Sequence, residues 1–196
     1  PSESRPPIWI GGSGERMCRI TARYADGWLP ATLGVEEYKE KLNLIKEECS
    51  RTDRDFGKIE KGVYLNLIID GSREECLRIM KEAPLIKAGA LLAPASLYEK
   101  LGYKHPLGEK FYSLTDYMPA ELTREEAMKA IRSVPLEIVQ ESFLWGNVED
   151  VIEKLDQYRK AGAQAAVFWN FTFLGDVTKV KSSYNCIDKL VNYFKE

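Results

Sequence analysis

The chain has 196 residues, 44% of them hydrophobic and 30% charged, with a formal net charge of −2. That is the composition of an ordinary soluble protein long enough to bury a sizeable core, and its balanced charge gives no basis for gripping nucleic acid or an anionic membrane. No apolar run approaches the roughly 18 residues of a membrane span, and no signal peptide is visible.

The first residue is Pro1 rather than Met, which leads us to expect a piece of a longer protein or a trimmed one. The four cysteines, Cys18, Cys49, Cys76 and Cys186, form no C-x-x-C pair, and the single histidine is His105. Reduced, buried thiols in a cytoplasmic protein and no metal site are therefore expected.

Taken in order, the chain alternates short apolar runs with helical periodicity. "PPIWI" (Pro6 to Ile10) reads as a short strand opened by prolines. From Gly14 to Ala25 the pattern is helical, with Met17, Thr21 and Tyr24 on one face. "GWLPA" (Gly27 to Ala31) is a second strand. The helix after it places Val35, Tyr38, Leu42, Ile45 and Cys49 on one stripe.

A third strand runs from about Gly62 to Ile69, apolar enough to be buried on both faces as in a parallel sheet. Ser72 and Glu75 form a capping box for the helix that follows. An excursion over residues 95–135, rich in Pro, Gly and aromatics, reads as an ordered insertion, with helix from about Thr123 to Arg132 behind a second capping box at Thr123 and Glu126. Asn147 then caps a helix whose face carries Val148, Val151, Ile152, Leu155 and Tyr158, with Gly162 past its end. A fourth strand, Gln164 to Asn170, is followed by a last helix to Phe194, using Val180, Tyr184, Ile187, Val191 and Phe194.

Four βα units imply parallel strands joined by right-handed crossovers. A complete (β/α)8 barrel needs about 200 residues at least, and about 250 typically. With the insertion set aside, this chain has room for about half of one.

The richest stretch is "IGGSGERMCRITARYADGWLPA" (Ile10 to Ala31). A loop after a strand in a βα unit lies at the carboxyl end of the sheet, where ligands bind. Glycines there permit positive φ and let a ligand meet bare backbone, while the next helix aims free N–H groups at the loop. Phosphate is the natural occupant of Gly11, Gly12, Ser13 and Gly14, with Ser13 adding a hydroxyl donor. A plain tight turn is the alternative on spacing alone, since "GGSGER" is neither a Walker loop nor a full dinucleotide fingerprint.

The same stretch resembles the segment that opens the second half of the luciferase-like flavin- and deazaflavin-dependent oxidoreductases: strand, Gly-rich turn, helix, then Ala25, Asp26, Gly27 and Trp28 leading into the next strand. Gly146 to Asn170 is similar to that family's last crossover, a helix ending in Ala-Gly before the final strand. The "LGYKHPLGEKFYSLTDYMPAELTREEA" excursion resembles the coenzyme F420-dependent branch, which includes methylenetetrahydromethanopterin reductases and phthiodiolone ketoreductase-like proteins. The resemblance implies an α/β fold, the C-terminal half of a (β/α)8 TIM barrel (strands five to eight), with the insertion before the last crossover helix. It also implies F420-dependent hydride transfer with a small-molecule carbonyl or methylene-pterin substrate. Gly11, Gly12, Ser13 and Gly14 would hold the cofactor's phosphate end, and Pro30 and Ala31 would lie against its tail.

Other residues have weaker claims. Asn170, at the end of the fourth strand, is a candidate substrate contact. His105 has the pKa of a general acid but no visible partner, so ordering the insertion is its expected role. Asp26 fits a structural cap at its turn. Arg5, Arg16, Arg19 and Arg23 offer positive potential, although the i, i+4 pair Arg19 and Arg23 fits a solvated helix face. No catalytic group is identified.

FMN in a luciferase-like monooxygenase is the alternative cofactor, because both cofactors present a phosphate. A non-catalytic half-barrel for binding or assembly is the alternative of another class. Half a barrel leaves apolar edges uncovered, so a homo-oligomer or an N-terminal half-barrel partner is expected.

Overall fold

Pro6 and Pro7 lack the N–H that a ladder requires, and the first strand is confined to Trp9–Ile10 (β1) rather than the full Pro6–Ile10 run. The structure is a computed structural model and describes residues 5–112, 116–117 and 119–195. These fall into two compact units: the described residues up to Leu65 with Ile152–Trp169, and Asn66–Val151 with the residues from Asn170 onward.

In the first unit β1 leads to helix α1 (Glu15–Tyr24), strand β2 (Gly27–Trp28) and helix α2 (Val35–Arg51), and then into strand β3 (Glu60–Ile69), which continues into the second unit. β1 and β2 are parallel, with Trp9 opposite Gly27 and Ile10 opposite Trp28, and β2 is parallel to β3, with Gly27 opposite Glu60. Gly27 is required there, because a Cβ would lie 2.3 Å from the Trp9 ring.

α1 buries Cys18, Thr21 and Ala22 instead of the face expected from Met17, Thr21 and Tyr24. These small side chains let α1 come close to α2, where the Cys49 thiol reaches the Ala22 carbonyl, and the rotation leaves Tyr24 65% exposed. Of the expected α2 stripe, Tyr38, Leu42, Ile45 and Cys49 are buried, and Val35, the first helical residue, is half-buried.

The second unit holds helices α3 (Arg73–Glu82), α4 (Pro84–Leu91), α5 (Ala95–Lys100), α6 (Arg124–Arg132) and α7 (Leu136–Ser142), then strand β4 (Leu144–Gly146). Helix α8 (Val148–Lys160) starts in this unit and ends in the first, and strand β5 (Ala165–Asn170) returns from the first to the second. Helices α9 (Thr172–Gly175) and α10 (Val180–Lys195) close the chain. β4 is a fifth strand, parallel to β3 with Leu67 opposite Leu144. Three residues are too few to show a period of two, which is why only four strands are legible in the sequence.

The Ser72 hydroxyl caps α3 by accepting from the Glu75 amide. Thr123 and Glu126 cap α6 reciprocally, and Asn147 and Asp150 exchange the same pair of bonds at the start of α8. Around these helices a core forms from Ile68, Ile79, Met80, Ile86, Tyr98, Ile138 and Phe143. The insertion expected over residues 95–135 contains α5, α6 and a 3-10 turn at Pro119–Glu121, while residues 113–115 and 118 lie outside the described residues.

α10 corrects one expectation. Ser183, Cys186 and Leu190 form its buried face, and of the expected stripe Ile187 is half-buried while Val180, Tyr184, Val191 and Phe194 point outward, at 45%, 52%, 39% and 42% exposed. The small Ser183 and Cys186 permit close approach, and Ser183 is fixed by the Asn170 amide, which sets the rotation of the helix. On β5, Val167 and Trp169 are also solvent-facing, at 42% and 51%.

Candidate functional site

The first loop, Gly11 to Gly14, leaves the carboxyl end of β1, and the second, Pro30 to Gly34, leaves the carboxyl end of its parallel neighbour β2. Parallel pairing therefore brings both loops to one edge of the sheet within the first unit. The Leu29 amide donates to the Ile10 carbonyl at 2.9 Å, and the Trp28 indole Nε1–H donates to the Gly12 carbonyl at 3.0 Å.

None of Gly11, Gly12 and Gly14 has a left-handed φ, so the conformational role expected for them is unused. Gly12 is glycine for a packing reason, since a Cβ there would sit 2.7 Å from Met17 Cγ. Gly14 is different. Its φ of −62° suits any residue and a Cβ would meet nothing within 4 Å, so its bare backbone faces open space.

Gly14 is the N-cap of α1 and gives no side-chain cap, and Gly34 stands in the same relation to α2. Among the described residues no backbone carbonyl accepts from the Gly12, Ser13 or Gly14 amide. Two glycine-capped helix starts at adjacent strand ends are the donor set an anion requires. A phosphate-bearing cofactor thus fits the residues present: free amides, open space at Gly14 and the half-buried Ser13.

In the second loop Pro30 is buried and its carbonyl accepts from the Tyr64 amide, so of Pro30 and Ala31 only Ala31 reaches the surface. Thr32 adopts φ +49°, which is costly for a β-branched residue, and its amide is held by the Tyr64 carbonyl at 2.9 Å. The Tyr158 hydroxyl, its pKa raised to about 12 by burial, donates to the Leu33 carbonyl at 2.5 Å.

The arginines separate. Arg5 forks onto Asp26 at 2.5 and 2.7 Å, and this pairing, with the Ile8 amide, lowers the Asp26 pKa to about 2. Asp26 thereby ties the entry of β1 to the turn before β2. Arg19 and Arg23 keep side chains 42% and 48% exposed, and both reach across to Glu48 on α2, which is only 3% exposed; Arg23 holds that carboxyl below its usual range. Arg16, exposed in the first turn of α1, has no partner among the described residues and is the cation left over for an anion at Gly14.

Asn170 belongs to the second unit. Its Nδ2 donates to Ser183 Oγ at 3.0 Å and its Oδ1 accepts from the Thr172 amide at 3.1 Å, so both ends of the carboxamide bind protein groups. Asp70, which follows β3 and has no signal in the sequence pattern, accepts from Ser182 Oγ at 2.6 Å and lies 3.7 Å from Lys179 Nζ.

His105 is buried within the insertion. Nδ1 accepts from the Leu107 amide at 3.1 Å, so Nε2 carries the proton and faces the Leu91 and Ala93 carbonyls at 3.0 and 3.1 Å. Burial lowers its pKa. The four cysteines are free and buried, with the Cys76 thiol pushed up to about 11 by desolvation. Among the described residues no cluster of three or more His, Cys, Asp or Glu is placed to hold a metal, and no helix is long and apolar enough to cross a membrane.

Comparison with known proteins matches residues 1–165 to the family model described as luciferase-like monooxygenase. A phthiodiolone/phenolphthiodiolone dimycocerosates ketoreductase of Mycobacterium tuberculosis (strain ATCC 25618 / H37Rv) is 26% identical over 166 residues, covering 84% of this chain and 43% of the relative. The chain spans about half the length of the curated relatives it matches. Among solved structures, the coenzyme F420-dependent tetrahydromethanopterin reductase of Methanopyrus kandleri superposes with a TM-score of 0.63 at 17% identity, over 85% of this chain and 45% of that one. A riboflavin lyase with modified FMN and riboflavin superposes at 0.58 with 14% identity, over 97% and 43%. The α/β fold with its parallel sheet thus matches about half of a luciferase-like TIM barrel, and this chain belongs to the luciferase-like monooxygenase family.

Proposed function

We propose that this chain is the phosphate-gripping half of a coenzyme F420-dependent oxidoreductase acting on a carbonyl or methylene-pterin type substrate. The observation that carries the reading is the pair of glycine-capped helix starts, Gly14 and Gly34, at the carboxyl ends of adjacent parallel strands. The amides of Gly12, Ser13 and Gly14 receive the anionic tail, Arg16 balances its charge, and Ala31 lies alongside it. When bound, the deazaflavin supplies the hydride chemistry; the residues here anchor and orient it. The F420-dependent reductase among the structural matches supports this cofactor, and the FMN-containing lyase keeps FMN as the second reading. A homo-oligomer or an N-terminal half-barrel partner would complete the surroundings of the reactive ring.

Gly14→Asp tests the reading with effects of opposite sign. A carboxylate at the N-cap supplies the missing cap and favours the helix dipole, so thermal stability rises. The same carboxylate occupies the amides and repels phosphate, so fluorescence titration with coenzyme F420 shows affinity falling at least tenfold. Unchanged affinity in a stabilised Gly14→Asp protein refutes the phosphate cradle.

A further inference from the structure

Three buried aromatic side chains connect the two loops of the first unit. Trp28, fully buried, donates its indole N–H to the Gly12 carbonyl at 3.0 Å. Its ring stacks on Tyr38 at 5.1 Å and 26°, and Tyr38 meets Tyr158 edge-on at 5.9 Å and 84°. Tyr158, 4% exposed, donates its hydroxyl to the Leu33 carbonyl at 2.5 Å. The path thus begins on a backbone carbonyl of one loop and ends on a backbone carbonyl of the other. Tyr38 lies between with a buried hydroxyl that has no partner among the described residues, so it contributes only its ring.

We infer that Trp28, Tyr38 and Tyr158 are a positioning brace that holds the Gly12 and Leu33 loops at a fixed separation before any ligand arrives. The inference rests on the phosphate-cradle reading and deepens it. The geometry explains why both anchoring bonds end on carbonyls. A carbonyl fixed from the protein side turns its peptide plane, leaving the adjacent N–H groups directed away from the core. A preformed pair of loops also avoids the ordering cost that a mobile cradle would bear on binding. The rigid rings transmit position through van der Waals contact, and the strained φ of Thr32 next to Leu33 is held in place by the same bond.

The test uses Tyr158→Phe and Trp28→Phe, each removing one anchoring hydrogen bond, with Tyr38→Phe as the control that keeps the ring and removes only the unpartnered hydroxyl. Backbone amide order parameters of the whole chain without ligand are followed by NMR relaxation over residues 11–14 and 32–34, from about 0.85 for a held loop to below about 0.6 for a released one. Tyr158→Phe lowers them in 32–34, Trp28→Phe in 11–14, the middle of α2 stays unchanged, and Tyr38→Phe changes neither loop. Binding is then read with FMN against riboflavin and with coenzyme F420 against its phosphate-free deazaflavin. Both anchoring variants lose about fivefold in affinity for the phosphate-bearing member, the equivalent of one net hydrogen bond, and nothing for the other.

Unchanged order parameters in the anchoring variants overturn the brace whatever the cradle does. Wild-type affinity that is the same with and without phosphate overturns the cradle reading, and with it the role of the brace in binding; the ligand-free relaxation arm keeps the two failures apart.

Discussion

Replacing His105 with Ala removes a buried ring whose two nitrogens are both committed. The bond from the Leu107 amide and the shared bond to the Leu91 and Ala93 carbonyls contribute about 1 kcal/mol each. The ring also stacks on Phe111 at 4.4 Å and 12° and meets Tyr98 edge-on at 4.4 Å, contacts that add about 0.5–1 kcal/mol apiece. The expected loss is about 3–4 kcal/mol, read from urea unfolding at pH 7.5. The pH dependence follows from the lowered pKa of the folded imidazole. The neutral ring is the form the fold holds, so its contribution is complete above the unfolded pKa of about 6.5. It is lost as pH falls from there through the folded value, because the unfolded chain takes up the proton first. The stability gap between wild type and His105→Gln therefore narrows between pH 7.5 and pH 5. A gap that widens on acidification, or a His105→Ala loss below about 1 kcal/mol, refutes the assignment of a neutral structural anchor.

Other perturbations have equally definite signs. Tyr38→Phe removes a buried hydroxyl without a partner among the described residues and leaves thermal stability equal to wild type or up to about 2 kcal/mol higher; a clear loss would reveal a hydrogen bond to that oxygen. Gly175→Ala places a Cβ 2.6 Å from Ile79 Cγ2 and 2.9 Å from Ile86 Cγ1 in the second unit's core. It destabilises by about 1–3 kcal/mol in chemical denaturation, and a neutral result would mean that this packing is loose. Val191→Lys with Phe194→Lys changes two outward-facing residues of α10 and lowers concentration-dependent association in light scattering while helix content by circular dichroism is kept. Equal association in the double variant would place the adhesive surface elsewhere.

Much of the fold was legible because its signals are local. The Ser72 and Thr123 caps, the α2 stripe and the apolar β3 run each follow from neighbouring residues, and each element forms where its pattern lies. What escaped depends on tertiary contact. β4 exists because Leu144 to Gly146 pair with β3, and the rotations of α1 and α10 are set by which neighbour each small face meets. The position of the glycine loop beside Pro30 and Ala31 was implied by the family resemblance. The brace was not, since Trp28, Tyr38 and Tyr158 are three core aromatics until their polar ends are located. Gly34 carries a sparser signal than Gly11 to Gly14, a single glycine directly before a helical period.

Arg19 and Arg23 stand one helical turn apart on α1 and end on opposite oxygens of the same Glu48 carboxylate. Such a two-point hitch stops α1 from rolling about its own axis, as a single tether would not. The helix then keeps a constant azimuth at its first turn. An anion bound there as proposed would meet donors of fixed direction.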